Sequence, residues 1–511
     1  MLHTNIRTAI AEERLSTIPA TIDALARSAR RRPGALAVVD LTSGVRFDYA
    51  ALDALADRAA GWIAARLNGA ADGERVAYLG RNGIELLAIA LGAERCGAIF
   101  VPLNWRLAAP EIAALIEDCT PALIVAQDEF VPLLGGRARV SGALAEIETA
   151  IPAARRELSE ERTILLLYTS GTTGRPKGAI VTQANADAGA RNFAAVAEVN
   201  ENSVMFSALP MFHTIGLIAV ARATLMAGGT VVLTDRFVAP QALAALGDPS
   251  LGITHYFAVP VMAEALLREP SFDEAALSRL KAIFAGGAPV APALIARFAD
   301  IGVPLVNGYG MSEAGTVIHM PIDRELIAGS EGAVGRPAPE IEVRLVEDGH
   351  DVRDGDTGEV WLKGLSVTPG YWNRPDESAD VFTDGWYRTG DLARRDAGGL
   401  YHIVDRLKDM YVSGGENVYP AEVEAVLLEH PSVLDAAVIG MPDARWGESG
   451  VAVVVPSGEL DADVLRAHCL ERLAKYKCPA RFVAVDAIPR SAAGKILKPA
   501  LRQRLISGDL K

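Results

Sequence analysis

Residues 168–178, Tyr168-Thr169-Ser170-Gly171-Thr172-Thr173-Gly174-Arg175-Pro176-Lys177-Gly178, combine three glycines, four aliphatic hydroxyls, one arginine and one lysine. Glycine lets backbone N–H groups approach an anion closely, and successive N–H groups form a concave nest for it. The hydroxyls add donors or metal contacts, and Lys177 adds a compact positive charge. The chemistry suggested is polyphosphate binding. A P-loop needs G-x-x-x-x-G-K-[ST]. Counted from Gly171, its second glycine falls on Pro176, which has no N–H, and its Ser/Thr falls on Gly178. That reading fails at both positions.

Further reactive groups lie downstream. Gly286-Gly287-Ala288-Pro289 and Asn307-Gly308-Tyr309-Gly310-Met311-Ser312-Glu313 each follow an apolar run. Tyr309 offers a ring on which adenine could stack, Ser312 a phosphate donor, and Glu313 a hard oxygen for magnesium. Taken alone, Glu313 reads as a solvated carboxylate or a helix N-terminal charge. His213, between Phe212 and Thr214, is more often a packed histidine than a base. Asp391, in Arg388-Thr389-Gly390-Asp391, is expected on a tight turn, where an aspartate often bonds its own backbone. Gly414-Gly415 before Pro420 suits a helix entry. Lys495, after Gly494, would ordinarily be a solvated lysine.

The elements that must position these groups alternate. Short apolar runs at 76–79, 99–103, 123–126, 164–167, 230–233, 254–259, 282–285 and 303–306 read as strands. Helical patterns at 84–96, 240–246 and 292–298 lie between them, and two more fall within 19–67 around Phe47-Asp48-Tyr49. Strands alternating with helices indicate βαβ units and a parallel sheet, whose ligands collect outside the strands' carboxyl ends. From 333 to 404 the chain changes to short strands (342–346, 359–362, 400–404) and polar turns. Beyond 406 a compact α+β unit of about 100 residues follows. The expected domains are 1–405 and 406–511.

With 511 residues, 50% hydrophobic and 22% charged, the chain can bury sizeable cores. Lys plus Arg minus Asp plus Glu is 50 − 64 = −14, which argues against nucleic-acid or anionic-membrane binding. The cysteines, Cys96, Cys119, Cys469 and Cys478, show no C-x-x-C or zinc spacing and read as reduced packing residues. Met1 to Arg14 lacks an apolar signal core, and no membrane span is evident. The expected address is cytoplasmic.

The 168–178 stretch resembles the phosphate loop of the adenylate-forming superfamily, which includes acyl-CoA synthetases, peptide-synthetase adenylation domains and firefly luciferase. Seven motifs occur in the family's order from 168 to 496. The resemblance implies ATP or AMP contacts from Thr169, Ser170, Gly171, Thr172, Thr173, Gly174, Lys177, Gly287, Ala288, Pro289, Asn307, Gly308, Tyr309, Gly310, Met311 and Ser312. Thr169 and Glu313 would share Mg2+, and Asp391 and Arg406 would hold ribose. His213, Gly287, Gly308 and Met311 would border the acyl group. Gly414 and Gly415 resemble the segment that meets the pantetheine arm, and Trp446 and Lys477 are candidates along the CoA path. Lys408 occupies the hinge about which a mobile C-terminal domain rotates. Lys495, in Pro489-Arg490-Ser491-Ala492-Ala493-Gly494-Lys495, would be the principal catalytic residue, bridging the acyl carboxylate and the α-phosphate.

The implied reaction is a two-step acyl-CoA synthesis. An acid and Mg-ATP give acyl-AMP and pyrophosphate, and CoA then displaces AMP. The acid is expected to be aromatic, arylpropenoic or medium-chain. Three alternatives stay open: loading of a carrier-protein arm, a luciferase-like oxygenase, and a degenerate nucleotide-binding protein. No carrier module follows 511, which favours free CoA, and the intact Thr169, Glu313, Asp391, Arg406 and Lys495 argue against degeneracy.

Overall fold

The computed structural model describes residues 23–156, 159–169, 176–288, 290–330, 332–407, 409–413, 416–443, 446–473, 475–491 and 494–510. Its strands form four sheets among these residues. The largest runs 336–337, 315–319, 305–311, 282–285, 255–258, 204–207, 230–233, 36–40, 46–48, nine strands in all. Its six inner strands from 36–40 to 305–311 are parallel, and the flanking additions are antiparallel. A five-stranded sheet has the order 123–126, 75–79, 99–103, 163–169, 177–182. Strands such as Ile99–Leu103 and Ala282–Ala285 are buried along their whole length. That explains why they read as continuous apolar runs rather than alternating ones.

Helices cover these sheets. Asp48 caps Tyr49–Arg66 by accepting from the Ala51 N–H at 2.7 Å. Thr182 and Asn185 form a reciprocal capping box on Gln183–Val196. The apolar run after His213 forms a π-helix, Ile215–Arg222. Within it Arg222 is held between Glu94 and Asp187 at 2.8 and 2.7 Å, all three shielded from water. Wide π-turns concentrate at functional sites.

The remaining sheets are smaller. A six-stranded antiparallel sheet holds 350–351, 341–347, 357–364, 386–395 and 382–383, with 401–406 against 386–395. After 406 a separate sheet of 416–418, 411–413, 447–456, 433–443 and 481–484 packs its own core around Tyr411, Val438 and Leu465. The α/β class with a β-rich part and a smaller α+β unit is therefore as expected. The four cysteines are free thiols.

Several expectations change in detail. The two helices expected within 19–67 are present as Ala24–Arg31 and Tyr49–Arg66, but a hairpin that was not expected, Leu36–Asp40 with Arg46–Asp48, separates them. Asp391 does not sit on a turn but inside strand Trp386–Arg395, opposite Arg406. The turn-like signal has a physical source. Gly390 takes a left-handed φ of 70°, and the Asp391 N–H donates to Thr389 Oγ1 at 3.0 Å, so a kink is set into a continuous strand. Among the described residues no helix is long and apolar enough to cross a membrane.

Candidate active site

Thr169 ends one strand and Lys177 begins the next, directly opposite it in an antiparallel hairpin. Residues 170–175 join the two and lie outside the described residues, so Ser170, Gly171, Thr172, Thr173 and Gly174 are not placed. Lys177 therefore opens a strand, whereas a P-loop lysine opens a helix. Its ammonium pairs with Glu377 and lies 5.2 Å from the centroid of the Tyr371 ring.

Tyr371 was not singled out from the sequence. It arrives on a segment sewn to the hairpin: Ile180 N–H donates to Gly370 O at 3.0 Å, and Trp372 N–H to Gly178 O at 2.8 Å. Thr368 Oγ1 donates to Ile180 O at 2.6 Å. The Tyr371 hydroxyl lies 3.1 Å from Glu313 Oε1 and 3.0 Å from the Tyr387 hydroxyl. The only cue in the sequence was an aromatic pair, Tyr371-Trp372, after a glycine.

Glu313 is 8% exposed. Burial raises its pKa, while the Tyr371 hydrogen bond and the nearby charge of Lys495 partly offset that shift. A buried carboxylate in this condition lacks a full countercharge. Ser312 and Glu313 share the wall of a small cavity with Thr214, Ile218 and Thr368. A hydroxyl and a carboxylate are the hard oxygen donors that magnesium takes alongside phosphates, so Thr169 and Glu313 fit that ion chemically.

A second cluster forms at the ends of other strands. Tyr309 donates its hydroxyl to Asp391 Oδ2 at 2.6 Å, and Arg406 Nε meets Asp391 Oδ1 at 3.1 Å. Asn307 turns away, donating to the carbonyls of Gly332 and Ala333 at 3.0 and 3.1 Å. The glycines here serve close packing. A Cβ on Gly308 would fall 2.3 Å from His319 Cδ2, and one on Gly310 would fall 2.3 Å from Gly315 O. Gly287 has a φ of 81° and faces Ile215 and Val259. Ala288 follows it, and Pro289 lies outside the described residues. Met311 is half-buried, its sulfur 4.0 Å from the Tyr309 hydroxyl.

The His213 ring lies 4.6 Å from that of Phe212 at a tilt of 59°, and Phe212 is itself edge-on to Trp105. Its Nε2 is buried and has no hydrogen-bond partner among the described residues. Burial, then the charges of Arg106 and Lys495, lower its pKa to about 4, so the imidazole is neutral at ordinary pH. Trp105 and Arg106 were also missed; they follow a strand with no pattern that marks them.

Lys495 comes from the far end of the chain, yet its charge reaches both Glu313 and His213. Its turn is held by Ser491 N–H to Lys495 O at 2.7 Å and by Arg490, which pairs with Asp435 at 2.7 Å. The structure thus places Lys495 within electrostatic reach of Glu313 and His213, with Asp391, Arg406 and Tyr309 as a second cluster. It does not bring Trp446 or Lys477 into either cluster. Trp446 is 43% exposed, and Lys477 is paired with Glu422 at 2.7 Å. Lys408, Gly414 and Gly415 lie outside the described residues.

A family model described as "AMP-binding enzyme" matches residues 25–372, and one described as "AMP-binding enzyme C-terminal domain" matches residues 422–495. A feruloyl-CoA synthase of Amycolatopsis sp is 38% identical over 491 residues, covering 94% of this chain and 97% of that protein. An indoleacetate–CoA ligase of Aromatoleum aromaticum is 38% identical over 481 residues, covering 89% and 92%. The solved o-succinylbenzoate CoA synthetase of Bacillus subtilis, in complex with its acyl-adenylate intermediate, superposes with a TM-score of 0.86. It is 31% identical and covers 94% of this chain and 97% of that one.

Proposed function

The chain belongs to the AMP-binding enzyme family and is an AMP-forming acyl-CoA synthetase, and from that premise we propose how its residues divide the work and which acid it takes. ATP activates the acid as acyl-AMP, and CoA receives the acyl group. A carboxylate is a poor acyl donor and a mixed phosphoric anhydride a good one, so the difficulty lies in aligning two anions.

Lys495 supplies positive charge where the carboxylate oxygen meets phosphorus, and Lys177 exchanges Glu377 for the outer phosphates. Asp391 and Arg406 receive the ribose hydroxyls beside the Tyr309 ring. Thr169 and Glu313 would hold Mg2+, which would neutralise phosphate charge. His213, neutral and with a buried nitrogen that has no partner among the described residues, orients the acid rather than exchanging its proton. Residues 1–405 and 406–511 act as two bodies turning about Lys408, which exchanges Lys495 for the surface bearing Gly414, Gly415, Trp446 and Lys477. The enzyme works in the cytoplasm.

The observation that carries this reading is the electrostatic reach of Lys495 to both Glu313 and His213. The acid proposed is aromatic or arylpropenoic. The aromatic side chains of Phe212 and Trp105 beside His213, and the acids named for the two relatives at 38% identity, support it. Acid-dependent ATP–pyrophosphate exchange across hydroxycinnamates, arylacetates, fatty acids and dicarboxylates tests it. A signal led by hydroxycinnamates or arylacetates is expected; preference for acetate or malonate would refute the acid class, and silence in every case would refute the activity.

A further inference from the structure

Helix Pro420–Leu428 begins without a capping side chain of its own, because Tyr419 stands at the N-cap position. The orphan N–H of Ala421 is met instead by Asp405 Oδ2 at 2.8 Å, sixteen positions back in the chain. The other oxygen of Asp405 accepts from the Arg406 N–H at 2.7 Å. A carboxylate at a helix N-terminus satisfies a donor and meets the positive end of the helix dipole. Asp405 is only 8% exposed.

The two partners are attached to different sheets. Asp405 is fixed opposite Leu392 in the six-stranded sheet. The helix belongs to the sheet after 406, where Glu424 Oε1 accepts from the Val438 N–H at 2.7 Å. Glu424 also pairs with Lys498 at 2.9 Å, and both are largely buried. The Lys498 charge reaches Asp405 as well. Lys498 stands three positions after Lys495. A chain of buried polar contacts therefore runs from Asp405 through the helix and Glu424 to the segment bearing Lys495. Asp405 lies three positions before Lys408, so a turn about that residue would carry Ala421 away from it.

We infer that Asp405 is a positioning residue for the first half-reaction: it caps helix Pro420–Leu428 only in the arrangement that brings Lys495 to Glu313 and His213. This rests on the roles proposed above for Lys495 and Lys408. A cap that served only to stabilise the helix would, on removal, weaken both half-reactions alike. A cap made in one arrangement weakens adenylation alone.

The test uses the full chain with Asp405→Ala, Asp405→Asn and Lys498→Met, and Lys495→Ala as reference. Two rates are measured: acid-dependent ATP–pyrophosphate exchange, and single-turnover conversion of supplied acyl-AMP and CoA to thioester. Asp405→Ala is expected to lower the exchange kcat about tenfold, the weight of one helix cap, with KM for ATP and acid unchanged. Its thioester step should be equal or faster. Asp405→Asn keeps an acceptor oxygen and should fall between. If Asp405→Ala fails to fold, Asp405→Asn and Lys498→Met show the same split at smaller size. Equal loss in both steps, or no loss in either, overturns the inference when Lys495→Ala separates them. If Lys495→Ala does not separate the steps, the underlying reading and the inference fall together.

Discussion

The two clusters, one proposed above to receive the nucleotide and the other to hold the reacting acid and phosphate, are built in opposite ways. Asp391 already has its partners: the Tyr309 hydroxyl on one oxygen, Arg406 on the other, and a backbone N–H bonded to Thr389. Around His213 and Glu313 the polar groups are desolvated, with an imidazole nitrogen that has no hydrogen-bond partner among the described residues and a carboxylate of raised pKa. AMP is the same in every turnover, so its receptor can be assembled in advance. The acid end must first create a charge distribution and then abandon it. Desolvated groups respond most strongly to the charge that develops between them.

Removing the charge that completes the acid side should have the largest effect. Lys495→Ala is expected to lower adenylation by about a hundredfold or more while sparing thioester formation from supplied acyl-AMP. Comparable loss of both steps would end the contrast between the two sides. Next in size, Asp391→Asn should lower kcat/KM for ATP by about tenfold to a hundredfold, the worth of a charged hydrogen bond. The KM for the acid should not move. If it moved equally, the two sides would not be separate.

Tyr371→Phe removes one hydrogen bond from Glu313 and one from Tyr387. A loss of about 1 kcal/mol is expected, read as a severalfold rise in the magnesium concentration needed for half-maximal exchange. An unchanged magnesium dependence would place Tyr371 outside the site.

The smallest effect concerns pH. Burial lowers His213, His255 and His319 to about 4 from an ordinary 6.5. The unfolded chain then takes up protons that the folded chain refuses. Stability therefore rises with pH between about 4 and 6.5, and is lost as pH falls through that window. The His319→Gln variant should show a flatter dependence of melting midpoint on pH over this range. A slope equal to that of the parent would refute the assignment. The pH–rate profile should likewise carry no inflection from His213 near 6.5.

Much of the scaffold was legible because its inner strands are buried on both faces and must be apolar throughout, as at 99–103 and 282–285. Thr169, Glu313, Asp391, Arg406 and Lys495 stood out as candidates because each sits in a run of unusual residue types. Asp391 shows the limit of such reading. Thr-Gly-Asp has the composition of a turn, and what draws it into a strand is the pairing of the residues flanking it and of Asp391 with Arg406. Tyr371 and Asp405 were illegible for a different reason. Each acts on a residue at least sixteen positions distant, through contacts that exist only once the chain has folded.

The glycines expected to line the acid side bear on how this enzyme could be retuned. Gly308 cannot accept a side chain because His319 already fills that space, and Gly287 is held in a backbone conformation that other residues rarely adopt. Both walls are therefore closed to gradual change, one by volume and one by torsion. Drift in acid preference, in nature or in directed evolution, has to pass through neighbours such as Ile215 and Val259, where trading one apolar side chain for another resizes the chamber without breaking the chain's geometry.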